Sequence, residues 1–500
     1  MNLTKIQQKI VDTNGNVIVS ASAGTGKTHT MVAKISHELT KNKNHRVIAA
    51  ITFTIKAARE IKDRLSVNIV GSFIGTNNSF AIEEVIKPFL KDAFGSRYSC
   101  DITTDYSLKF DKFDDGLAYI MKNSTLGSYL DGNKNFIFEL ALKILKKSEV
   151  ARLYLQAKYF KIYIDEYQDC DLTMNEFFIY LTDVLKIELF IVGDDKQSLY
   201  IWRGANPVSF RKIFSKKSFT HIIMSENFRS NKQIQNYSNL LFTETASLYE
   251  LKTNLSNIIL LNCTSSDWAQ KIKETWNKDN SSALLRTKNK DAETCSNILD
   301  DNGLIFKYIP SIPIDTISND SAWLYQAIAQ YIFLDTYSVY DFIYDIPMGT
   351  EDDSNLKRKL EYYLTKITLN NCDKKIFLEK VSDLAQFLGY SSQQKDLELL
   401  YETISEATYA EAFEQEKYKH RAMTCHSSKG LQFEQVIIFA EDFSLRNDED
   451  FYKHYVAVTR AKSKLIIVDT NSYWAQKYKE NLSLELDKYN LKIEDLLQIR

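Results

Sequence analysis

Residues 16–30 read NVIVSASAGTGKTHT, a short apolar run, a stretch of small residues and then a lysine-threonine pair. Val17, Ile18 and Val19 have the unbroken apolar character of a strand covered on both faces, and MVAKISHELTK beyond the loop carries apolar residues at helical spacing. A strand that turns through small residues straight into a helix leaves backbone N–H groups and a helix N-terminus facing one point, which suits an anion. It also commits the chain to a parallel sheet wrapped by helices, because parallel strands need crossover connections. The spacing departs from G-x-x-x-x-G-K-[ST] in one place, where Ala21 stands for the first glycine. Gly24 and Gly26 keep the turn's conformational freedom, and Ala21 adds only a methyl at the strand end. On this reading Ser22, Ala23, Gly24, Thr25 and Gly26 cradle phosphates, Lys27 reaches the β and γ phosphates and Thr28 holds Mg²⁺. A glycine-rich turn followed by a chance Lys-Thr would look the same over these residues alone.

A second segment separates the two readings. Residues 160–171, FKIYIDEYQDCD, form an apolar run that ends in two acids, and the carboxyl ends of parallel strands are where such sheets present their chemistry. Asp165 is expected to coordinate Mg²⁺, and Glu166 to orient and deprotonate an attacking water. Alone, an Asp-Glu pair is most often a solvated strand end; downstream of a phosphate loop it reads as the other wall of a nucleotide site. Residues 192–205, VGDDKQSLYIWRGA, then place Gln197 just after a strand, where its amide could sense a γ-phosphate. Tyr200 and Trp202 either offer faces to successive bases, stacking being worth roughly 1–3 kcal/mol per base, or are core aromatics. Their glycine-flanked, polar loop favours the first.

Further apolar strand candidates at 46–54, 188–194, 221–225, 282–287, 421–427, 434–440 and 464–470 alternate with helical stretches. They are too many for one small sheet and fall into two groups, so the fold class is α/β with two parallel-sheet lobes. Residues 81–159 and 311–415, rich in helix formers and aromatics as in LKRKLEYYLTKI, read as mainly helical insertions. The first lobe then takes residues 1–80 and 160–213, and the second 214–310 and 416–500. A chain of 500 residues and 57.9 kDa is long enough for this division. With a formal net charge of −2, any contact with nucleic acid needs a local basic surface. The six cysteines form no C-x-x-C pair, which argues for reduced thiols and against an iron-sulfur cluster or zinc ribbon. MNLTKIQQKIV lacks an apolar run of signal-peptide length, and no segment offers about 18 uninterrupted apolar residues, so a soluble, cytoplasmic protein is expected.

Taken in order, these segments resemble the motifs of the UvrD/Rep-like branch of the superfamily 1 helicases, and the resemblance runs along the whole chain. LTKIQ (3–7) looks like the Q-motif, which implies that Gln7 reads the adenine edge. ASAGTGKT (21–28) is similar to the family's own phosphate loop, which carries Ala at its first position. ITFTIKAAREI (51–61) resembles the motif whose Thr52, Phe53 and Thr54 face single-stranded DNA, and GTNNSFA (75–81) the next, with Asn78 where the family commonly has His. IDEYQD and GDDKQSLYIWRGA fit the acidic and coupling motifs. ENFRS (226–230) implies that Phe228 stacks on adenine and that Arg229 contacts the γ-phosphate. TCHSSKGLQFEQVII (424–438) resembles the motif that ties the second lobe to DNA and nucleotide, with His426, Ser427, Lys429 and Gly430 matching. Gln432 stands where the family usually has a ribose-contacting Glu, which bears on nucleotide selectivity. YVAVTRAKSKL (455–465) supplies Arg460 as the implied arginine finger.

The resemblance implies two RecA-like lobes, each with an insertion, that close on ATP and Mg²⁺. It also implies single-stranded DNA as partner, with 3′ to 5′ movement. With about 30 residues after the last strand candidate, a C-terminal nuclease domain is not expected. The compact build is similar to that of helicase-like subunits in an anti-phage system, which implies an OLD-family nuclease as a separate partner. Two functions stay open at this point: a motor that translocates on DNA, and a nucleic-acid-activated NTPase switch that regulates a partner without sustained unwinding.

Overall fold

The alternation of apolar side chains along the strands decides how the chain is layered. Val17 and Val19 pack with Met31, Ile35 and Val192 on one face of the first sheet, while Ile18 packs with Ile51, Ile164 and Ile191 on the other. The second sheet repeats the arrangement, with Leu260, Ala283, Ile438 and Ile467 on one face and Leu261, Leu284, Ile437 and Ile466 on the other. Both sheets are therefore buried on both sides, as parallel sheets require.

The computed structural model describes residues 3–198, 206–251, 255–317, 321–346, 354–369, 371, 373–390 and 392–500. In chain order the strands are β1 Val17–Ala21, β2 Val47–Thr52, β3 Phe73–Thr76, β4 Thr103–Phe110, β5 Thr125–Tyr129, β6 Tyr159–Ile164, β7 Glu188–Gly193 and β8 Thr220–Met224. They are followed by β9 Ile258–Asn262, β10 Ser282–Arg286, β11 Lys307–Tyr308, β12 His420–Thr424, β13 Phe433–Phe439, β14 Ala461–Asp469 and β15 Gln498–Ile499. The first lobe's sheet has the order β3-β2-β6-β7-β1-β8 and the second's β11-β12-β10-β13-β14-β9-β15. The pairings in both are parallel. The fold is α/β with two RecA-like lobes.

Two features differ from expectation. β8 lies beyond the boundary drawn at 213, yet it belongs to the first sheet, because Val17 to Ala21 of β1 pair in register with Thr220 to Met224. The first insertion also carries the parallel pair β4–β5 among its helices, and its Phe136, Leu140 and Ile144 share one apolar cluster with Ile18 and Ile164 of the first sheet. The second insertion instead builds its own cluster around Trp323, Leu324, Ile328, Leu364, Leu384 and Leu400. Among the described residues no helix is long and apolar enough to cross a membrane, and Cys100, Cys170, Cys263, Cys295 and Cys425 are free thiols.

Candidate nucleotide cleft between the lobes

β1 sits between β7 and β8, and its last residue, Ala21, is buried in the sheet's core. The methyl that breaks the glycine pattern is thus part of the strand and leaves the loop untouched. The helix Lys27–Lys41 starts from Gly26 at φ +82°, with no side chain capping it, so its first N–H groups are open to an anion. Thr25 closes the turn from within, its hydroxyl donating to the Ser22 carbonyl at 2.8 Å. Gly24, at φ +74°, has a second constraint: a Cβ there would lie 2.5 Å from Asn227 Oδ1 and 2.7 Å from Arg229 Cβ. The segment following β8 presses on the phosphate loop at this point, and the Phe228 N–H donates to the Gly24 carbonyl at 2.9 Å. Phe228 itself is 58% exposed, which leaves its ring available as a base platform. Gln7 is buried and its amide bridges Thr4 N–H (3.0 Å) and the Thr25 carbonyl (3.2 Å), so it ties the N-terminal helix to the loop.

Opposite the loop, β6 delivers Asp165 and Glu166. Glu166 is held in the left-handed region at φ 51°, a costly backbone for a non-glycine residue. Its N–H donates to Asp165 Oδ1 at 2.9 Å, and Gln168 donates to its carboxylate. Burial, and then the neighbouring Glu166, push the Asp165 carboxyl up to about 7, and Lys27 only partly opposes them. Burial would raise Glu166 too, but Lys27, Lys429 and the Gln168 amide outweigh it and hold its carboxyl below the usual range. A buried carboxylate short of positive charge suits a hard divalent cation with oxygen ligands, and Thr28, in the first turn of the helix Lys27–Lys41, carries a hydroxyl of the kind such a cation takes. Thr28 and Asp165 therefore fit Mg²⁺.

The end of β7 leads to Asp194, whose carboxylate collects several donors. Lys196 Nζ lies 2.9 Å from Oδ1, and the Gln197 amide donates to Oδ2 at 2.6 Å. From the second lobe Tyr455 reaches the same Oδ2 at 3.2 Å. Burial opposes ionisation of Asp194, yet Lys196 and Lys27 overcome it and keep the group charged. The second lobe also contributes Arg229, which donates to the Thr459 carbonyl at 3.2 Å. Arg460 is 1% exposed and bonded to the Val456 and Leu431 carbonyls at 3.0 and 3.1 Å. Burial first and the neighbouring Arg229 second depress its pKa. Among the described residues neither arginine has a carboxylate within ion-pair distance. Lys429 reaches back across the cleft to Asp169 at 2.9 Å.

Lys27, Asp165, Glu166 and Gln197 from the first lobe and Arg229 and Arg460 from the second thus come together electrostatically: Lys27 acts on Asp165, Glu166 and Asp194, and both arginines feel Glu166 and Asp194. Gly430, at φ +89°, and exposed Gln432 lie on the turn between β12 and β13. On the expected DNA side the agreement is partial. Thr52 is 1% exposed and its hydroxyl donates to the Thr54 carbonyl at 2.8 Å, because the inner strand β2 is covered on both faces up to its end. Phe53 packs half-buried against the first lobe's core, while Thr54, the exposed member, caps the helix Ile55–Arg64. His426 is exposed on the loop after β12. Tyr200 and Trp202 lie outside the described residues. Asp194, Gln168 and Tyr455 were not singled out by sequence reasoning, although all three stand inside motifs quoted above.

Residues 6–203 match the family described as AAA domain, and residues 419–468 the UvrD-like helicase C-terminal domain. The chain belongs to the UvrD-like helicase family. It is 40% identical over 493 residues to Gabija protein GajB of Bacillus cereus (strain VD045), an alignment that takes in 97% of this chain and 99% of that one. The ATP-dependent DNA helicase Rep of Escherichia coli (strain K12) is 26% identical over 300 residues, 50% of this chain and 44% of Rep. The ATP-dependent DNA helicase PcrA of Bacillus subtilis (strain 168) is 28% identical over 290 residues, 47% of this chain and 39% of PcrA.

Proposed function

We propose that the protein is an ATP-driven motor that moves 3′ to 5′ along single-stranded DNA, and that it serves anti-phage defence in a complex with an OLD-family nuclease. The observation that carries the motor reading is the division of charge across the cleft. Lys27, Thr28, Asp165 and Glu166 stand on one lobe and Arg229 and Arg460 on the other, with the arginines bonded to backbone carbonyls and, for Arg460, the Thr459 hydroxyl. Phosphoryl transfer asks for positioning and for neutralised charge more than for covalent chemistry. Lys27 and the arginines neutralise the phosphates, Glu166 orients the attacking water and takes its proton, and Gln197 reads the γ-phosphate. Mg²⁺, held by Thr28 and Asp165, would supply charge neutralisation on the phosphate oxygens. Since the site is whole only when the lobes meet, each cycle of hydrolysis opens and closes a surface that DNA crosses. The defence role and the nuclease partner rest on the similarity to the Gabija protein along nearly the full chain.

A DNA-activated switch is the second reading, and one observation favours it. The second insertion is fastened to the first lobe's helix Ile55–Arg64, where Arg59 pairs with Asp345 and Asp63 accepts from the Tyr344 hydroxyl. That contact bridges the two lobes next to the Thr52–Thr54 segment. The test is ATP turnover with and without single-stranded DNA beside a Glu166→Gln control, followed by translocation kinetics on strands of increasing length. A motor shows stimulated turnover, abolished in the control, and a lag that grows with length. Stimulation without length dependence selects the switch, and no ATP turnover with or without DNA rejects both.

A further inference from the structure

Tyr455 is 1% exposed on the helix Asp448–Val458 of the second lobe, and its hydroxyl is inserted into the first lobe's cleft. It accepts from the Ala23 N–H of the phosphate loop at 3.1 Å and donates to Asp194 Oδ2 at 3.2 Å. A phenol has one proton to give, and the ionised Asp194 takes it while the loop N–H fills a lone pair. The same Oδ2 accepts the Gln197 amide, so the hydroxyl and the candidate γ-phosphate reader share one oxygen. The backbone around Tyr455 is equally engaged. Its carbonyl accepts the Thr459 N–H and hydroxyl, the Val456 carbonyl accepts Arg460 Nε, and the Thr459 carbonyl accepts Arg229. The ring is wedged edge-on against Phe242 at 5.3 Å, with Lys196 Nζ at 5.5 Å over its face.

We infer that Tyr455 is a positioning residue that registers one lobe on the other, its hydroxyl fixing the phosphate loop and the Asp194–Gln197 pair while its helical turn carries the anchors of Arg229 and Arg460. This rests on the ATPase reading above. One oxygen therefore sets where the reader of the γ-phosphate sits relative to the arginines that neutralise it. A residue that only filled space would do so through its ring; the coupling here runs through the hydroxyl.

Tyr455→Phe isolates that hydroxyl, since the ring, its contact with Phe242 and the helix are retained. In the full chain with saturating single-stranded DNA, kcat for ATP falls roughly 10-fold or more, with KM and melting temperature close to those of the unaltered protein. In a Gln197→Ala background the same change costs much less, because the shared oxygen has already lost its reader. An unaltered kcat in Tyr455→Phe overturns the inference, as does full additivity with Gln197→Ala. If Tyr455→Phe melts markedly lower, Tyr455→Trp and Tyr455→Leu are measured as well, and kcat losses that track melting temperature across the three return the residue to packing. Absence of any ATP turnover in the unaltered protein, with or without DNA, would instead be the failure of the ATPase reading, which keeps the two apart.

Discussion

Arg460 is a guanidinium buried at 1% exposure with two carbonyls and a hydroxyl for partners, an arrangement that folding alone does not favour. Among the described residues no carboxylate is within ion-pair distance of it, which is what an arginine finger needs: attraction for the extra negative charge of the transition state with no competing partner. Arg460→Ala is therefore expected to lower ATP turnover roughly 10³-fold with nucleotide binding largely retained, measured by phosphate release beside a binding titration. Near-normal turnover would remove Arg460 from the role. Gly24 makes a different point at the same scale. Its left-handed backbone and the atoms of Asn227 and Arg229 leave no room for a side chain, so the loop at residues 22–26 is shaped by the segment after β8 as much as by its own sequence.

At the scale of elements, the fastening of the second insertion to Ile55–Arg64 is the contact most open to test. The Arg59–Asp345 pair is half-buried, at 25% and 17% side-chain exposure, and stands beside the packing of Arg59 over the Tyr344 ring at 4.8 Å. Arg59→Ala should cost roughly 1 kcal/mol locally, seen as several-fold faster amide exchange over residues 339–345 with the melting temperature little changed. Unchanged exchange there would mean that apolar packing alone holds the insertion. Elements also show where sequence reading succeeds. The strands β1, β2, β6, β7, β8, β10, β12, β13 and β14 were legible because apolar runs bounded by polar turns announce doubly buried strands. β9, IILLN, has the same character but no functional motif beside it, and β3 is four residues at a sheet edge with a glycine inside. β4 and β5 were hidden in a segment whose aromatic richness reads as helix, and whose pairing joins distant residues. The cleft was legible for a related reason: Lys27, Asp165, Gln197 and Arg229 each follow a strand end closely. Tyr455 was not, since a mid-helix tyrosine declares its role only when a second lobe is brought against it.

On the scale of the whole molecule, the second lobe carries a pH-sensitive element of stability. His454 is fully buried, its Nε2 3.0 Å from the Tyr478 hydroxyl, and burial pushes its pKa down to about 3. The unfolded chain takes up this proton near pH 6.5 and the folded chain does not, so the contribution is complete above pH 6.5 and is lost as the pH falls toward 3, by about 1.4 kcal/mol per unit. The melting temperature of the second lobe should drop between pH 7.5 and 5.5, and His454→Gln should flatten the drop; equal slopes in the two proteins would discount the residue. Lobe-resolved probes are needed because a two-lobe chain need not unfold in one step. The two lobes are joined by one covalent passage, the residues between Met224 of β8 and Asn231, whose amide donates to the Ser463 carbonyl of the second lobe. That passage contains the atoms that crowd Gly24, so the link between the lobes and the contact on the loop occupy the same few residues. Insertions elsewhere on the surface alter only the length of a loop; one placed here would slacken the tether itself, and a chain severed here would leave two halves, each with a complete sheet, whose re-association would depend on what lies between them.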